Sequence, residues 1–118
     1  MIYRIAESEE WLSTLRCGQF ASADLAQEGF IHCSEKQQIL RTAEKYYAGK
    51  TDLRLLEIDD ILMGEKVRRE SSGERGEYFP HVYAPIPMTA ILRHFDFRVE
   101  DAEIDTDIPR RFLLPPAL

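Results

Sequence analysis

Gly29-Phe30-Ile31-His32-Cys33-Ser34 is the stretch on which the reading of this chain turns. A glycine opens it, a short apolar run follows, and Ser34 closes it onto the strongest helical pattern in the sequence. Read as a strand, it alternates: Phe30, His32 and Ser34 fall on one face, Ile31 and Cys33 on the other. An imidazole and a hydroxyl then stand together at a strand-to-helix junction, where ligands are often held. A plainer reading stands beside it, in which Ser34 only caps the helix and His32 is a core histidine bonded to backbone.

On the C-terminal side, Ser34 and Gln37 match a capping box, which pairs two backbone donors that a helix start leaves unbonded. Ile39, Leu40, Ala43 and Tyr46 or Tyr47 recur at helical spacing until Gly49. Leu53 to Ile58 is apolar at nearly every position, so it predicts a central strand covered on both faces. Asp59 and Asp60 begin a turn ending near Gly64. Lys66 to Glu70 then alternates as a strand, with Arg68 and Glu70 on one face. The polar loop from Ser71 to Glu77 has the composition of a segment that closes over a site. Pro80, Pro85 and Pro87 exclude a helix in Tyr78 to Pro87 and predict that any strand there lies at an edge. Thr89 to Val99 resumes a strand pattern, with Ile91, Phe95, Phe97 and Val99 inward.

On the N-terminal side, Ile2 to Ala6 predicts a first strand that carries Arg4 beside Ile2 and Ala6. Ser8 has the character of an N-cap, Glu9 and Glu10 suit the first turn, and Trp11, Leu12 and Leu15 form an apolar face that ends at Gly18. Gln19 to Glu28 lacks periodicity and reads as a connection that tucks Phe20 and Leu25 onto the core. The expectation is one α+β domain over residues 1–99, with two early helices packed on a small split or mixed sheet. Residues 100–118 read as an extended tail.

Composition narrows the function. The chain has 118 residues, 44% hydrophobic and 31% charged, which suits one globular domain. A net charge of −6 argues against a grip on nucleic acid, whose phosphates need clustered cations. Two cysteines, Cys17 and Cys33, make neither a disulfide framework nor a metal-type pair. No run reaches membrane-spanning length and no signal peptide opens the chain, so the cytoplasm is the expected setting and a membrane partner is not expected.

Three chemistries compete for the polar residues. His32, His81 and His94 lack the short spacings of metal-ligand pairs, so no metal site is expected. Cys33 points away from His32 on a strand, and Ser34 lies about 6–7 Å from it along the backbone, too far for easy activation. The third chemistry is a pocket assembled from several strands: Arg4, then His32 with Ser34, Arg68 with Glu70, and His81 with Tyr83. Arginine grips phosphate or carboxylate, histidine and serine bind hydroxyls, and tyrosine offers a stacking plate. A carboxylate such as Glu70 can stabilise positive charge developing at a sugar carbon. An ordinary surface ion pair between Arg68 and Glu70 explains those two residues equally well.

The same stretch, followed by Glu70 and then Gly76-Glu77-Tyr78-Phe79-Pro80-His81-Val82-Tyr83, resembles the bacterial family called domain of unknown function 952, from the first strand to about Phe97. That family is similar in fold to the ADP-ribosyltransferases, and its second strand is most like that of the RNA 2′-phosphotransferase branch. The resemblance implies an ADP-ribosyltransferase-like α+β fold binding a small molecule, a nucleotide or phosphorylated ribose such as NAD, with transfer or hydrolysis at the anomeric carbon. It would make Arg4 a binder of phosphate or of the nicotinamide-side ribose, and His32 and Ser34 ribose or phosphate contacts. On that hypothesis Tyr83 stacks on a base, Arg68 belongs to the anion-binding set, Glu70 supports an oxocarbenium-like transition state and His81 acts as acid, base or phosphate ligand. Arg4 replaces the histidine common in relatives of that fold, and Glu70, Glu74 and Glu77 compete for the carboxylate role. The residues themselves name no cofactor, and a non-catalytic binding module is the rival reading.

Overall fold

The computed structural model describes residues 1–71 and 76–99. In chain order the elements are β1 (Ile2–Ala6), α1 (Ser8–Cys17), β2 (Gln19–Phe20), α2 (Ala23–Glu28), β3 (Ile31–His32), α3 (Ile39–Tyr46), β4 (Leu53–Ile58), α4 (Asp60–Met63), β5 (Val67–Ser71), β6 (Tyr78–Val82), β7 (Ile86–Pro87) and β8 (Ile91–Phe97). Short 3-10 turns occupy Lys36–Gln38, Gly64–Lys66 and Met88–Ala90. The chain is α+β, and among the described residues every strand pairing is antiparallel.

Two three-stranded sheets carry the architecture, ordered β1-β4-β8 and β3-β6-β5, with β2 and β7 forming a small ribbon. They meet where Tyr3 and Ser34 exchange two backbone hydrogen bonds, each 2.8 Å. The sheet is therefore split rather than continuous. β4 explains its apolar run: Leu53 and Leu55 pack with Tyr3, Ile5, Ile39, Ala43, Phe95 and Phe97 under α3. Leu56 and Ile58 face the other way, into a cluster with Trp11 of α1 and with Ile31 and Val82 of the second sheet. Burying each such aliphatic side chain stabilises the fold by roughly 1.5–3 kcal/mol.

Several local expectations shift. The strand at 29–34 shrinks to Ile31–His32, because Gly29 ends α2 in the left-handed conformation (φ 89°) and the chain beyond Cys33 turns to pair with Tyr3. α2 itself was not anticipated; among its residues only Leu25 packs on the core beyond an alanine-sized side chain, so no periodic apolar face announces it. Three early helices thus replace the expected two. The capping box lies one residue later than expected, on Glu35 and Gln38, and Glu7 rather than Ser8 caps α1. Most consequential, β6 is the centre of its sheet despite Pro80. The Pro80 carbonyl accepts from the Cys33 amide at 3.0 Å, so its nitrogen faces the same side, where β3 has already ended at His32. Proline therefore removes no bond of the ladder to β5. The expected tail, 100–118, and the middle of the expected closing loop lie outside the described residues.

Candidate functional site

The second sheet brings histidines together by register. His32 on β3 lies directly opposite His81 on β6, and Arg68 on β5 lies opposite His81 on the other side. The ring centroids of His32 and His81 are 5.3 Å apart and edge-on. Phe30 stacks on His81 at 4.1 Å with the planes 20° apart, and also meets His32 at 4.8 Å and Tyr83 at 5.3 Å. Arg68 lays its guanidinium over the Tyr83 ring at 5.1 Å.

Glu70 ties this group together. Its Oε1 accepts from His81 Nδ1 at 2.8 Å and from the Tyr83 hydroxyl at 2.5 Å. The Tyr83 bond, then the His81 bond, holds the Glu70 carboxyl below the usual range, and the same Glu70 contact pushes the Tyr83 phenol up. An ionised carboxylate only accepts, so Nδ1 of His81 carries a proton and donates it to Glu70, which leaves Nε2 uncommitted. That Nε2 is buried and has no hydrogen-bond partner, in a residue only 4% exposed. A buried polar atom left unbonded costs about 1–3 kcal/mol, a state that Nε of Arg4 shares. His32 has its own carboxylate: its Nε2 lies 2.8 Å from Glu28 Oε2, at the surface.

Arg4 and Ser34 sit elsewhere. Arg4 runs beneath β3, where its Nη1 donates to Asp24 at 2.7 Å and to the His32 carbonyl at 2.9 Å, while Nη2 reaches Glu10 at 3.4 Å. Asp24 also accepts from the His32 amide at 2.8 Å and bonds the Ser22 hydroxyl. Burial alone would raise the Asp24 carboxyl, but Arg4 and the His32 amide outweigh it and hold the group below its ordinary value. Arg4 thus grips the backbone that carries His32, not the ring. The Ser34 hydroxyl faces α3 and pairs with Thr42 at 3.2 Å. The structure gathers His32, Arg68, Glu70, His81 and Tyr83, and leaves Arg4 and Ser34 outside that group.

Of the competing carboxylates, Glu77 is engaged by Arg41 at 2.6 Å and Gln38 at 3.2 Å, and Glu74 lies outside the described residues. Three residues of the neighbourhood were not singled out as site residues from sequence: Phe30, Glu28 and Asp24. Glu28 and His32 stand four apart, a spacing informative only within one helix, whereas here it bridges a helix end and a strand. His94 stands apart, beside Trp11 at 4.6 Å and bonded to Arg54 at 2.8 Å, with its pKa lowered by burial and then by Arg54. A concavity of about 230 Å³ lies near that end, lined by Trp11, Leu12, Leu53, Arg54 and Asp96 among others. Burial pushes the Cys33 thiol up to about 12, which disqualifies it as a nucleophile. Among the described residues no three His, Cys, Asp or Glu side chains are grouped to hold a metal ion, and no helix is long and apolar enough to cross a membrane.

With a split antiparallel sheet and an imidazole–carboxylate–phenol chain in view, kinship can be placed. Residues 5–94 match the family described as Protein of unknown function (DUF952), and the chain belongs to that family. The crystal structure of protein CC0527 from Caulobacter crescentus is similar, with 34% identity, TM-score 0.77 and 90% of each chain covered. The solution NMR structure of CC0527 is similar at TM-score 0.70, over 92% of this chain and 90% of that one. No curated protein matches the chain.

Proposed function

We propose that this protein binds a nucleotide or phosphorylated ribose, with NAD among the candidates, on the face formed by Phe30, His32, Arg68, His81 and Tyr83, in the cytoplasm. The single observation that carries the reading is His81: its ring is fixed by Glu70, Glu70 is shared with Tyr83, and the inner nitrogen is buried without a partner. Phe30 and Tyr83 offer aromatic faces for a base, and Arg68 offers a cation for phosphate. The order β1, α1, then β3 with its histidine, and the split of the sheet at Tyr3 and Ser34, support an ADP-ribosyltransferase-like fold.

Transfer or hydrolysis at the anomeric carbon fits that fold. One specific observation favours the binding module instead: Glu70 Oε1 is committed to both His81 and Tyr83, so that oxygen is not held for a sugar carbon. Isothermal titration with NAD, ADP-ribose and ribose 5-phosphate tests the reading. At least one of them is expected to bind, and His81→Gln and Arg68→Ala are expected to weaken it about tenfold or more. Nicotinamide release from NAD, abolished by Glu70→Gln, would mark the anomeric chemistry; binding without release would mark the module. Absence of binding by all three ligands sinks the reading.

A further inference from the structure

We infer that the bond broken at this site is a phosphoester bond, with His81 as general base and His32 as general acid, and that the substrate class is the nucleoside 2′,3′-cyclic phosphates. The inference rests on the reading that the site takes a phosphorylated ribose, and it names the reacting bond. Its ground is the pairing of two imidazoles in direct register across β3 and β6, each backed by a different carboxylate. Glu70 holds His81 through Nδ1, leaving Nε2; Glu28 holds His32 through Nε2, leaving Nδ1. Two imidazoles with spare nitrogens at a ring separation of 5.3 Å are spaced to address the incoming and leaving oxygens of one phosphorus.

The step balances without a cofactor. His81 Nε2 takes a proton from water as the water oxygen bonds to phosphorus, and the bond from phosphorus to one ribose oxygen breaks. Protonated His32 gives its Nδ1 proton to that oxygen. The products are a nucleoside monophosphate, neutral His32 and protonated His81, which exchange protons with solvent. Arg68, above Tyr83, offsets charge on the phosphoryl oxygens. Glu70 and Glu28 are positioning residues, since they reach the substrate only through the rings they hold. The rings packed on His81 are Phe30 and His32, so a ligand reaching Nε2 displaces one of them. Phe30, half-buried and stacked on His81, is the ring that gives way, so that His32 stays on Glu28 and the two imidazoles keep their spacing. The net charge of −6 disfavours a polyanionic strand and fits a small substrate.

The test incubates the full chain with adenosine 2′,3′-cyclic phosphate across pH and follows the monophosphate by chromatography, alongside titration with ribose 5-phosphate and ADP-ribose. Cleavage with a bell-shaped pH profile is expected. His81→Gln should lower the rate about a hundredfold or more and abolish the rise on the acid side, because the base is gone. His32→Gln, a surface change, should lower it similarly and abolish the fall on the alkaline side. If His81→Gln does not fold, the wild-type and His32→Gln profiles decide alone. No cleavage with ligand binding intact overturns this inference and leaves the binding reading standing. Neither cleavage nor binding overturns both. Cleavage that survives His32→Gln unchanged overturns the assignment of the acid.

Discussion

Arg4 shows how a residue typed for ligand binding is turned to another task by its surroundings. It occupies a strand position between Ile2 and Ala6 that faces the core, so its charge must be met inside. Asp24 and Glu10 meet it, at 2.7 and 3.4 Å, and the His32 carbonyl takes a further bond. Burial would lower the guanidinium's pKa, but Tyr47, Asp24 and Glu10 outweigh it and the group is raised. Removing one member of a buried ion pair strands the other in low dielectric. Arg4→Met is therefore expected to cost about 3–5 kcal/mol in urea denaturation. Asp24→Asn should cost less, because the amide still accepts from the His32 backbone and Glu10 still faces Arg4. Equal losses from the two changes would mean that the Arg4–Asp24 charge pairing accounts for nearly all of the cost, since Asp24→Asn keeps the backbone bond.

Elements were legible where one physical signal decided them. β1 and β4 announce themselves because burial on both faces calls for apolar residues on both, interrupted by Arg4 in one strand and by Arg54 and Glu57 in the other. β5 was legible with its face assignment, Arg68 and Glu70 both meeting Tyr83. α2 was not, because it is held less by an apolar face than by its ends, Asp24 under β3 and Gly29 at the C-cap. Centrality of β6 was hidden because proline's cost depends on which side its nitrogen faces, and that depends on a partner as distant in sequence as Cys33. The candidate site was legible in its residue types: His32, Arg68, Glu70, His81 and Tyr83 come together. Its wiring was not, since Glu70 bonding His81 rather than pairing with Arg68 is set by register across β5 and β6. Gly29 tests the element scale. It has no atom within 4 Å of an added Cβ, so Gly29→Ala meets only backbone strain at φ 89°. A loss of about 1–2 kcal/mol in urea denaturation is expected, with the α2 end loosened toward Glu28 and His32. A neutral result would mean that the turn relaxes without cost.

For the whole molecule, the buried titratable groups set both edges of the pH range in which the fold holds. On the acid side, Glu57 accepts two bonds from Arg93, at 2.8 and 2.9 Å, and one from Tyr3 at 3.0 Å. Arg93 above all, against some burial, holds its carboxyl below the ordinary value. A depressed carboxyl contributes stability at pH above its unfolded value, lost as pH falls through the folded one. On the alkaline side the sign reverses. Burial, then Glu57, pushes the Tyr3 phenol up to about 12, and burial above all, opposed by Arg4 and aided by Asp24, pushes the Cys33 thiol up to about 12. Both groups are neutral in the fold and ionise more readily when unfolded. Their contribution is complete below the unfolded values, near 9 for the thiol and 10 for the phenol, and is lost as pH rises toward about 12. Urea midpoints measured across pH should therefore plateau between the two edges and decline on each side. Tyr3→Phe keeps the ring that packs against Ile5 and Phe95 and removes only the hydroxyl, so it should flatten the decline between pH 10 and 12. Cys33→Ser would not isolate its share as cleanly, since it buries a hydroxyl in an apolar cluster; Cys33→Ala is the better partner. If the double variant Tyr3→Phe with Cys33→Ala still declines as steeply as the parent above pH 10, the buried phenol and thiol do not set the alkaline edge. The Tyr47 phenol, pushed up chiefly by burial, and the Tyr83 phenol, pushed up by Glu70, would then be the groups to replace next.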